Sequence, residues 1–430
     1  MFFSLRRNYK VKEISWTMSK LVRNVSQQKS GVKTAIILGI ETSCDDTGCA
    51  VVDTNGNILG EALHSQQQIH LENGGILPPI ARDLHEKYIE KVVKDALQAA
   101  KLKLSDVDAI ATTVKPGLAL SLCVGMLYGK HLSRQANKPF IPIHHMQAHA
   151  LTVRMVHKVD FPFLVLLVSG GHCILAVVQS ATSFLVLGHS LDDAPGEAMD
   201  KAARRLKLRN LPQFSKMCGG QALEKAAELG DPLSHEFTTP LTKYRDCNFS
   251  YAGIKNQINR LIIHEEEKYN VQGGKILPNV YNICASFQLC VTKHICHRVQ
   301  RAIEFVKLKQ LIPKTNQIMV MSGGVACNSF ISRAVGIVCR ETKFQLRVPP
   351  PHLCTDNGIM IAWNGAEKWS MQKDVYSSDN LDDIDIESRC PMGEDMRKKV
   401  TDANIKCEWV SLNELFKAKD SLNSKNSTNG

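Results

Sequence analysis

The sequence lacks the features that mark membrane proteins, zinc ribbons and disulfide-rich domains. No apolar run reaches the ~18 residues of a membrane span, and the longest, Phe161 to Val168, is typical of a buried strand. The 14 cysteines run from Cys44 to Cys407 without a Cys-x-x-Cys pair, which argues against a zinc ribbon or a small disulfide scaffold. We therefore expect a protein that has no membrane partner and keeps its thiols reduced.

Three familiar catalytic motifs are missing as well. The chain matches neither the phosphate-binding pattern GxxxxGK[S/T] nor the dinucleotide-binding pattern GxGxxG, which disfavours a P-loop kinase and a Rossmann dehydrogenase. The pair His145 and His149 has Met146 where the metallopeptidase motif HExxH requires glutamate. The general base of that hydrolysis is therefore absent.

What is present is an ordinary globular composition with an uneven charge. The 430 residues are 44% hydrophobic and 22% charged, which predicts a sizeable core in two domains or in two lobes of one. The formal net charge is +11. Residues 1–33 hold eight basic side chains and a single acid, Glu13, so they contribute +7 of it.

This basic leader is typical of a mitochondrial transit peptide. It contains serine, few acids and no compact apolar segment of the kind that a secretory signal requires. We expect the leader to be removed and the mature protein to lie in the mitochondrial matrix. A flexible nucleic-acid-binding arm is the alternative interpretation, and Met18 offers a second start site.

A pattern of strands occurs twice along the chain. An apolar run, Ala35 to Ile40, is followed by an acidic turn, a second strand, Cys49 to Asp53, and a hairpin signal at Asn55-Gly56. The order recurs from Phe163, and helix-like sequence follows each copy. Two β-β-β-α repeats predict an α/β fold of two duplicated lobes, with a ligand-binding cleft between them.

Glycine pairs follow two of the apolar strands. Gly170-Gly171 and Gly323-Gly324 stand where a strand meets a turn, so backbone N–H groups there can approach a phosphate or a ribose closely. A bare glycine pair is often only a turn. Its occurrence at two equivalent places favours a nucleotide site.

The pair His145 and His149 predicts a metal site. At positions i and i+4 of a helix the two imidazoles project from the same face, one turn apart. A distant carboxylate, Asp356 in the segment Cys354 to Gly358, could complete the site. Core or capping histidines are the alternative.

With these residues in place, the chain resembles the tRNA N6-adenosine threonylcarbamoyltransferase family, in particular its mitochondrial branch, within the actin-like ATPase superfamily. The similarity rests on eight ordered segments, which are 39–47, 116–118, 144–149, 167–172, 192–200, 249–255, 323–328 and 354–358. They span most of the chain, and their order makes a chance match untenable.

The resemblance implies an activity. Members of the family transfer a threonylcarbamoyl group from threonylcarbamoyl-AMP to the N6 amine of the adenosine 3′ of the anticodon, releasing AMP. For this chain it implies mitochondrial tRNAs that read codons beginning with A as partners, a separate synthase that supplies threonylcarbamoyl-AMP, and a homodimer without accessory subunits.

It also implies an arrangement of the chain. The first actin-like lobe would cover residues 34–150 and the second residues 151–350. Residues 351–370 would carry a metal ligand and return as a helix to the first lobe. The polar residues 371–430 are expected to form a variable, loosely ordered tail.

The family assigns roles to residues that match its motifs. One divalent metal ion per subunit, zinc or iron, would be held by His145, His149 and Asp356. Asp45 and Asp46 are expected to be catalytic, one of them accepting a proton from the attacking amine. The substrate-binding residues implied are Leu167, Val168, Ser169, Gly170, Gly171, Asp200, Gly220, Glu224, Cys327, Asn328 and Thr355.

Two departures from the family pattern stand near the nucleotide. Cys327 replaces the usual alanine before Asn328, and Met217-Cys218 precedes Gly219 where a Pro-Gly-Gly is common. Two other functions remain open, an actin-like-fold phosphotransferase for a small molecule and a non-catalytic nucleotide-binding scaffold. The paired histidines argue against the phosphotransferase, because a Mg²⁺ enzyme prefers oxygen ligands.

Overall fold

The first sheet is built around the apolar run at the start of the described chain. The computed structural model describes residues 34–416, so the predicted transit peptide, residues 1–33, lies outside the described residues. The strands are β1 Ile36–Glu41, β2 Asp46–Asp53, β3 Ile58–Ser65, β4 Ala109–Lys115 and β5 Phe140–His144. They lie in the order β3-β2-β1-β4-β5, with β1 antiparallel to β2 and parallel to β4.

Helices cover this sheet and one of them carries the histidine pair. The helices are α1 Gln67–Glu72, α2 Pro78–Ala100, α3 Ala119–Ala136, α4 His145–Leu151 and α5 Val153–Val156. Proline at the first position of α2 suits a helix start, and its apolar face, including Ile89 and Val93, packs on the sheet. The predicted helix at His145 is confirmed, and it begins directly after β5.

The second sheet repeats the topology of the first. Its strands are β6 Phe163–Val168, β7 Cys173–Val178, β8 Phe184–His189, β9 Ile318–Ser322, β10 Gln345–Arg347 and the short β11 Glu394–Asp395. Given from β8, the order β8-β7-β6-β9-β10 corresponds strand by strand to β3-β2-β1-β4-β5 of the first sheet. Strand β11 extends the second sheet beyond β8. The predicted duplicated α/β fold is confirmed by this repeat.

The helices of the second lobe surround a long central helix. They are α6 Pro195–Arg205, α7 Gly219–Glu228, α8 Ala252–Lys268, α9 Val280–Leu308 and α10 Ser329–Glu341. Most of α9 is buried, and its apolar residues form a core with β6, α7 and α8. Within residues 34–416, no helix is both long and apolar enough to cross a bilayer.

The chain then returns to the first sheet. Helix α11, Pro351–Cys354, is followed by α12, Gly358–Met371, which packs on β1 and β2. The approach requires glycine, because a Cβ at Gly39 would lie 2.3 Å from the backbone nitrogen of Ala362. This contact fixes the start of α12 and, with it, Asp356 just before the helix.

The polar segment after α12 is more ordered than its composition predicts. Residues 371–416 pack on both lobes and include α13, Arg397–Asp402. Leu381 is fully buried against β4, β5 and α3 in the first lobe, and Val400 is fully buried in the core of the second. The expected loose tail does not hold for these residues, because scattered apolar side chains anchor the segment despite its many acids.

Candidate functional site

Three side chains converge where β5, α4 and α12 meet. Nε2 of His149 lies 3.0 Å from Oδ1 of Asp356, and Nε2 of His145 lies 3.5 Å from the same oxygen. One ligand atom from each residue falls within 4.8 Å of the others. The imidazoles are almost fully buried, and their rings are perpendicular at 89°. Asp356 lies more than two hundred positions after the two histidines in the sequence, and the return of α12 to the first sheet brings it next to them.

A buried carboxylate orients His145 from behind. Oε2 of Glu41 lies 3.3 Å from Nδ1 of His145, and Oγ of Ser43 lies 3.1 Å from the same nitrogen. Glu41 also accepts hydrogen bonds from the backbone N–H of Ser43 and the hydroxyl of Thr113, both at 2.5 Å. These contacts occupy Nδ1 and leave Nε2 facing Asp356. Histidines that bind a metal through one ring nitrogen usually have the other nitrogen hydrogen-bonded in this way.

The charges of the cluster are strongly coupled. Burial alone would lower the pKa of His145, but Asp356 and Glu41 raise it to about 9. Burial alone would raise the pKa of Asp356, but His145 and His149 hold it well below its usual value. The carboxylates of Asp356 and Glu41 therefore favour a positive charge beside His145.

The donor set fits a divalent transition metal. Two imidazole nitrogens and one carboxylate oxygen are ligands that zinc and iron both accept. Nδ1 of His149 is buried and has no hydrogen-bond partner among residues 34–416, so this ring is held by packing and by its contact with Asp356. The partly exposed side chain of Asp356 marks the side from which further ligands could approach.

The acidic turn between β1 and β2 approaches the same cluster. Asp45 and Asp46 are both half-buried, and both feel the charge of Asp356. Burial, with the neighbouring acids Asp45, Asp356 and Glu41, raises the pKa of Asp46 to about 7. One of its oxygens is buried without a hydrogen-bond partner among the described residues. A carboxyl group that titrates near neutral pH can act as a proton acceptor.

The equivalent turn of the second lobe, between β6 and β7, is rich in glycine. Gly170 and Gly171 are exposed, and a Cβ at either position would meet nothing within 4 Å. Ser169 braces the turn by exchanging hydrogen bonds with His172, at 2.9 and 3.1 Å. Leu167 and Val168 are fully buried within β6, so only their backbone could contribute to a ligand site.

The first turn of α6 packs on this glycine turn. The N–H of Gly196 donates to the carbonyl of Ser169 at 3.2 Å. A Cβ at Gly196 would lie 2.8 Å from the Cα of Gly170. Further along α6, Oδ1 of Asp200 accepts the N–H of Gly220 at 2.6 Å, so these two predicted residues are in contact.

A third group joins Glu224 to the start of α10. Oε1 of Glu224 accepts hydrogen bonds from the N–H and the hydroxyl of Ser329, at 2.8 and 2.9 Å. Asn328 is the N-cap of α10, since its side chain accepts the N–H of Ile331 at 3.0 Å. Both predicted ligand residues therefore have a structural partner in the protein.

The remaining predicted residues lie where α11 meets the turn before α10. Cys327 is exposed, and its Sγ lies 3.8 Å from the carbonyl oxygen of Pro351 in α11. Thr355 is exposed and directly precedes Asp356. This contact links the turn of Gly323 and Gly324 to the segment that carries Asp356.

The comparison with known families decides the identity. A family model described as tRNA N6-adenosine threonylcarbamoyltransferase matches residues 57–363, which is well over half of the chain. The chain belongs to this family. The match covers the helix of His145 and His149, both glycine turns and Asp356.

Relatives in the threonylcarbamoyltransferase family are similar over nearly their whole length. The mitochondrial tRNA N6-adenosine threonylcarbamoyltransferase of Xenopus tropicalis is 52% identical over 88% of this chain and 93% of its own. The human enzyme of that name is 49% identical over 88% of this chain and 91% of its own. Among solved structures, component A of Acidaminococcus fermentans (R)-2-hydroxyglutaryl-CoA dehydratase has a TM-score of 0.44 and 14% identity, over 78% of this chain and 99% of its own.

The structure adds residues to which the sequence gave no role. Glu41 and Ser43 lie in the motif that carries the family resemblance, but only the folded chain shows them bonded to His145. The ring of His172 lies 6.5 Å from that of His145 and faces the cluster from the second lobe. In the sequence, the position of His172 next to the glycine pair was the feature that could have indicated a role for it.

Proposed function

We propose that this protein transfers a threonylcarbamoyl group from threonylcarbamoyl-AMP to the N6 amine of the adenosine 3′ of the anticodon, releasing AMP. The acceptors are mitochondrial tRNAs that read codons beginning with A, and the reaction takes place in the mitochondrial matrix. Membership of the threonylcarbamoyltransferase family supports this activity. The observation that carries the proposal is the His145, His149 and Asp356 cluster, which lies beside an acidic turn from one lobe and a glycine turn from the other.

His145, His149 and Asp356 would hold one divalent ion, of the zinc or iron type. Such an ion supplies Lewis-acid stabilisation of the negative charge that develops as the mixed anhydride is attacked. Through their contacts with Nδ1, Glu41 and Ser43 would leave Nε2 of His145 free to bind the ion.

The second lobe would bind the adenylate. The open backbone at Gly170 and Gly171 can donate N–H groups to the phosphate and acyl oxygens, next to the positive end of α6. Asp200, Gly220 and Glu224 would face the ribose, while Cys327 and Asn328 would flank the adenine. Leu167 and Val168 would act through their backbone, and Thr355 would contact the substrate near the ion.

The first lobe would activate the amine. Asp46 is the stronger of the two acidic candidates, because its pKa of about 7 leaves it ionised in a large share of molecules while it can still take a proton. Asp45, whose pKa burial also raises, would keep that of Asp46 high through like-charge repulsion.

The partners follow from this reaction. We expect a separate synthase to provide threonylcarbamoyl-AMP and a homodimer to act without accessory subunits. Recognition of tRNA should depend on contacts with phosphates, so binding should weaken steeply with salt. The acceptor base lies in an anticodon loop, where it is already unpaired.

Reconstitution tests the proposal directly. Purified protein, threonylcarbamoyl-AMP and a mitochondrial tRNA transcript should yield threonylcarbamoyladenosine in a nucleoside digest analysed by mass spectrometry. A transcript that carries guanosine at the acceptor position is the matched control and should yield none. Phosphorylation of a small molecule by ATP, without product on tRNA, would instead favour the phosphotransferase.

Variants of the cluster distinguish an enzyme from a non-catalytic nucleotide-binding scaffold. His145→Ala, His149→Ala and Asp356→Ala should each abolish transfer and bound metal, because the ligands act as a unit. His144 is the neighbouring control, since its buried ring lies near Cys390 and Lys115. His144→Gln, which keeps much of the side-chain volume, should retain metal and activity. Wild-type behaviour of His145→Ala would leave the nucleotide-binding scaffold as the better explanation.

A further inference from the structure

A buried histidine of α2 bonds the residues on both sides of the acidic pair Asp45 and Asp46. Nε2 of His85 lies 3.1 Å from the carbonyl oxygen of Cys44, directly before the pair. Nδ1 of the same ring lies 2.8 Å from the hydroxyl of Thr47, directly after it. The imidazole is fully buried, so a single side chain ties both ends of the acidic turn to a helix of 23 residues.

The two contacts determine which ring nitrogen carries the proton. A carbonyl oxygen only accepts hydrogen bonds, so Nε2 of His85 donates to the carbonyl of Cys44. Burial lowers the pKa of His85, so the ring is neutral and Nδ1 accepts a hydrogen bond from the hydroxyl of Thr47. Both nitrogens are thus engaged within the protein, which suits a residue that holds the turn and not one that exchanges a proton.

Two further bonds reach the turn from other elements. The hydroxyl of Ser121 in α3 also donates to the carbonyl of Cys44, at 3.3 Å, and the N–H of Gln66 donates to the carbonyl of Asp45 at 3.2 Å. By contrast, Oδ1 of Asp46 is buried and has no hydrogen-bond partner within residues 34–416. The backbone of the turn, and not a bond to that oxygen, therefore sets where it points.

We propose that His85 is a positioning residue, which holds the acidic turn in the geometry that lets Asp46 accept the proton of the attacking amine. This role rests on the proposed function, because it acts through the carboxyl group to which that function assigns the proton transfer. Misplacement of a reacting group by about 1 Å can slow a reaction by roughly 10²-fold. Loss of the imidazole should therefore lower kcat, although the ring bonds the turn and not a reacting atom.

Kinetics of His85→Phe test this role, since phenylalanine fills the buried space but forms neither bond. We expect kcat to fall roughly 10- to 100-fold, while KM for threonylcarbamoyl-AMP stays near the wild-type value. In an Asp46→Asn background the same change should cost less than about twofold, because the carboxyl group that His85 positions is already gone. Equal fold losses in the two backgrounds would indicate a general effect on the fold and would overturn the proposal.

His294→Phe is the matched control. The imidazole of His294 is equally buried, and its Nε2 accepts the backbone N–H of Ser250 at 3.1 Å in the second lobe. Any loss of kcat that this variant causes should be the same with and without Asp46→Asn. Coupling to Asp46 as strong as that of His85 would show that the kinetic cycle does not report the contacts of the turn, and the proposal would fall.

Thr47 offers a pair of smaller changes that avoid replacing the buried ring. Thr47→Val keeps the volume but removes the hydroxyl that bonds Nδ1 of His85, so kcat should fall about 2- to 10-fold. Thr47→Ser keeps the hydroxyl and should retain most of the activity. Equal kcat values in the two variants would contradict a turn that is held through both nitrogens.

Hydrogen exchange measures the turn independently of the reaction. In full-length protein, the amides of a peptide that covers residues 43–47 should exchange at least about tenfold faster in His85→Phe than in wild type. Unchanged exchange in that peptide would overturn the proposal. Faster exchange in a protein that transfers nothing to tRNA would support the role of His85 in holding the turn and refute the proposed function.

Discussion

At the scale of single residues, Asp46 carries the most unusual chemistry of the site. Burial and three neighbouring acids raise its pKa to about 7, so it exchanges a proton near neutral pH. Asp46→Asn should lower kcat roughly 10²- to 10⁴-fold, the usual contribution of a general base. A pH profile of kcat/KM checks the assignment, since the wild-type rate should rise through about pH 7 and the variant should lose that rise.

The same residue predicts an effect on stability. Because the folded pKa of Asp46, about 7, exceeds the ordinary 3.8, the folded protein binds this proton more tightly than the unfolded chain. Stability then falls as pH rises through that interval, and a neutral side chain avoids the loss. In chemical denaturation at pH 8, Asp46→Asn should be more stable than wild type, by on the order of 4 kcal/mol. At pH 3 the two proteins should unfold alike.

Glu41 should control metal affinity without touching the ion. Glu41→Gln keeps the shape of the side chain but removes the charge beside Nδ1 of His145. Loss of such a partner typically weakens metal binding ~10- to 100-fold, which competition with a chelator would measure. Glu61→Gln makes the same change at an exposed position of β3 and should bind metal as wild type does. Equal affinity in all three proteins would show that the carboxylate serves only the fold.

The residues named from the sequence were those with a recognisable pattern. The histidine spacing predicted a shared helical face, and the structure has both rings on Asp356. Nothing in the local sequence predicted that Glu224 would bond Ser329, because that contact joins two helices separated by more than a hundred residues. The sequence also did not predict that the side chains of Leu167 and Val168 are buried, because a motif does not show whether its side chains or its backbone face a ligand.

At the scale of secondary structure, strand positions were predicted better than their ends. The apolar run Ala35 to Ile40 became β1, Ile36–Glu41, and the run that ends at Val168 became β6. Hydrophobic pattern locates a strand because it reports burial. Capping and crossing contacts set the ends, as at α2, which begins at Pro78 although its apolar pattern is clear only from Leu84.

The two residues of the second glycine pair should respond differently to substitution. Gly323 has a φ of +101°, and a Cβ there would lie 2.4 Å from the carbonyl oxygen of Val168. Gly323→Ala should therefore cost at least about 1–3 kcal/mol and displace the turn before α10. Gly324→Ala is the matched control, because a Cβ at Gly324 meets nothing within 4 Å. Thermal unfolding and nucleotide titration of both variants would test this, and equal melting temperatures would contradict it.

At the scale of the whole molecule, the duplication was predictable and the last segment was not. Repetition of a strand pattern is visible in one sequence, whereas the path of residues 371–416 depends on isolated contacts. Lys115 of β4 pairs with Glu387 at 2.9 Å, and β11 adds to the edge of the second sheet. Such a segment has no periodic pattern to find, although it spans both lobes.

Removing one of its anchors should destabilise the first lobe. Leu381 is fully buried with Val114, Met126 and Phe140, so Leu381→Ala should cost about 2–5 kcal/mol in the free energy of unfolding. Leu233→Ala removes the same atoms from a residue that is 65% exposed and should change stability by less than about 0.5 kcal/mol. Urea denaturation of both variants measures the difference. A stable Leu381→Ala protein would mean that the segment only lies on the surface.

The equivalent hairpin turns of the two lobes have one further consequence. The turn from β1 to β2 carries Asp45 and Asp46, the turn from β6 to β7 carries Ser169 to His172, and both approach Asp356. Identical lobes would accept a ligand in either orientation. Here the first turn carries carboxylates and the second carries open backbone at Gly170 and Gly171, so the two sides of the cluster differ chemically in a way that the topology alone does not give. Under the proposed function, we expect the mixed anhydride to bind in one orientation, with its phosphate towards the glycines and its acyl carbon towards the incoming amine.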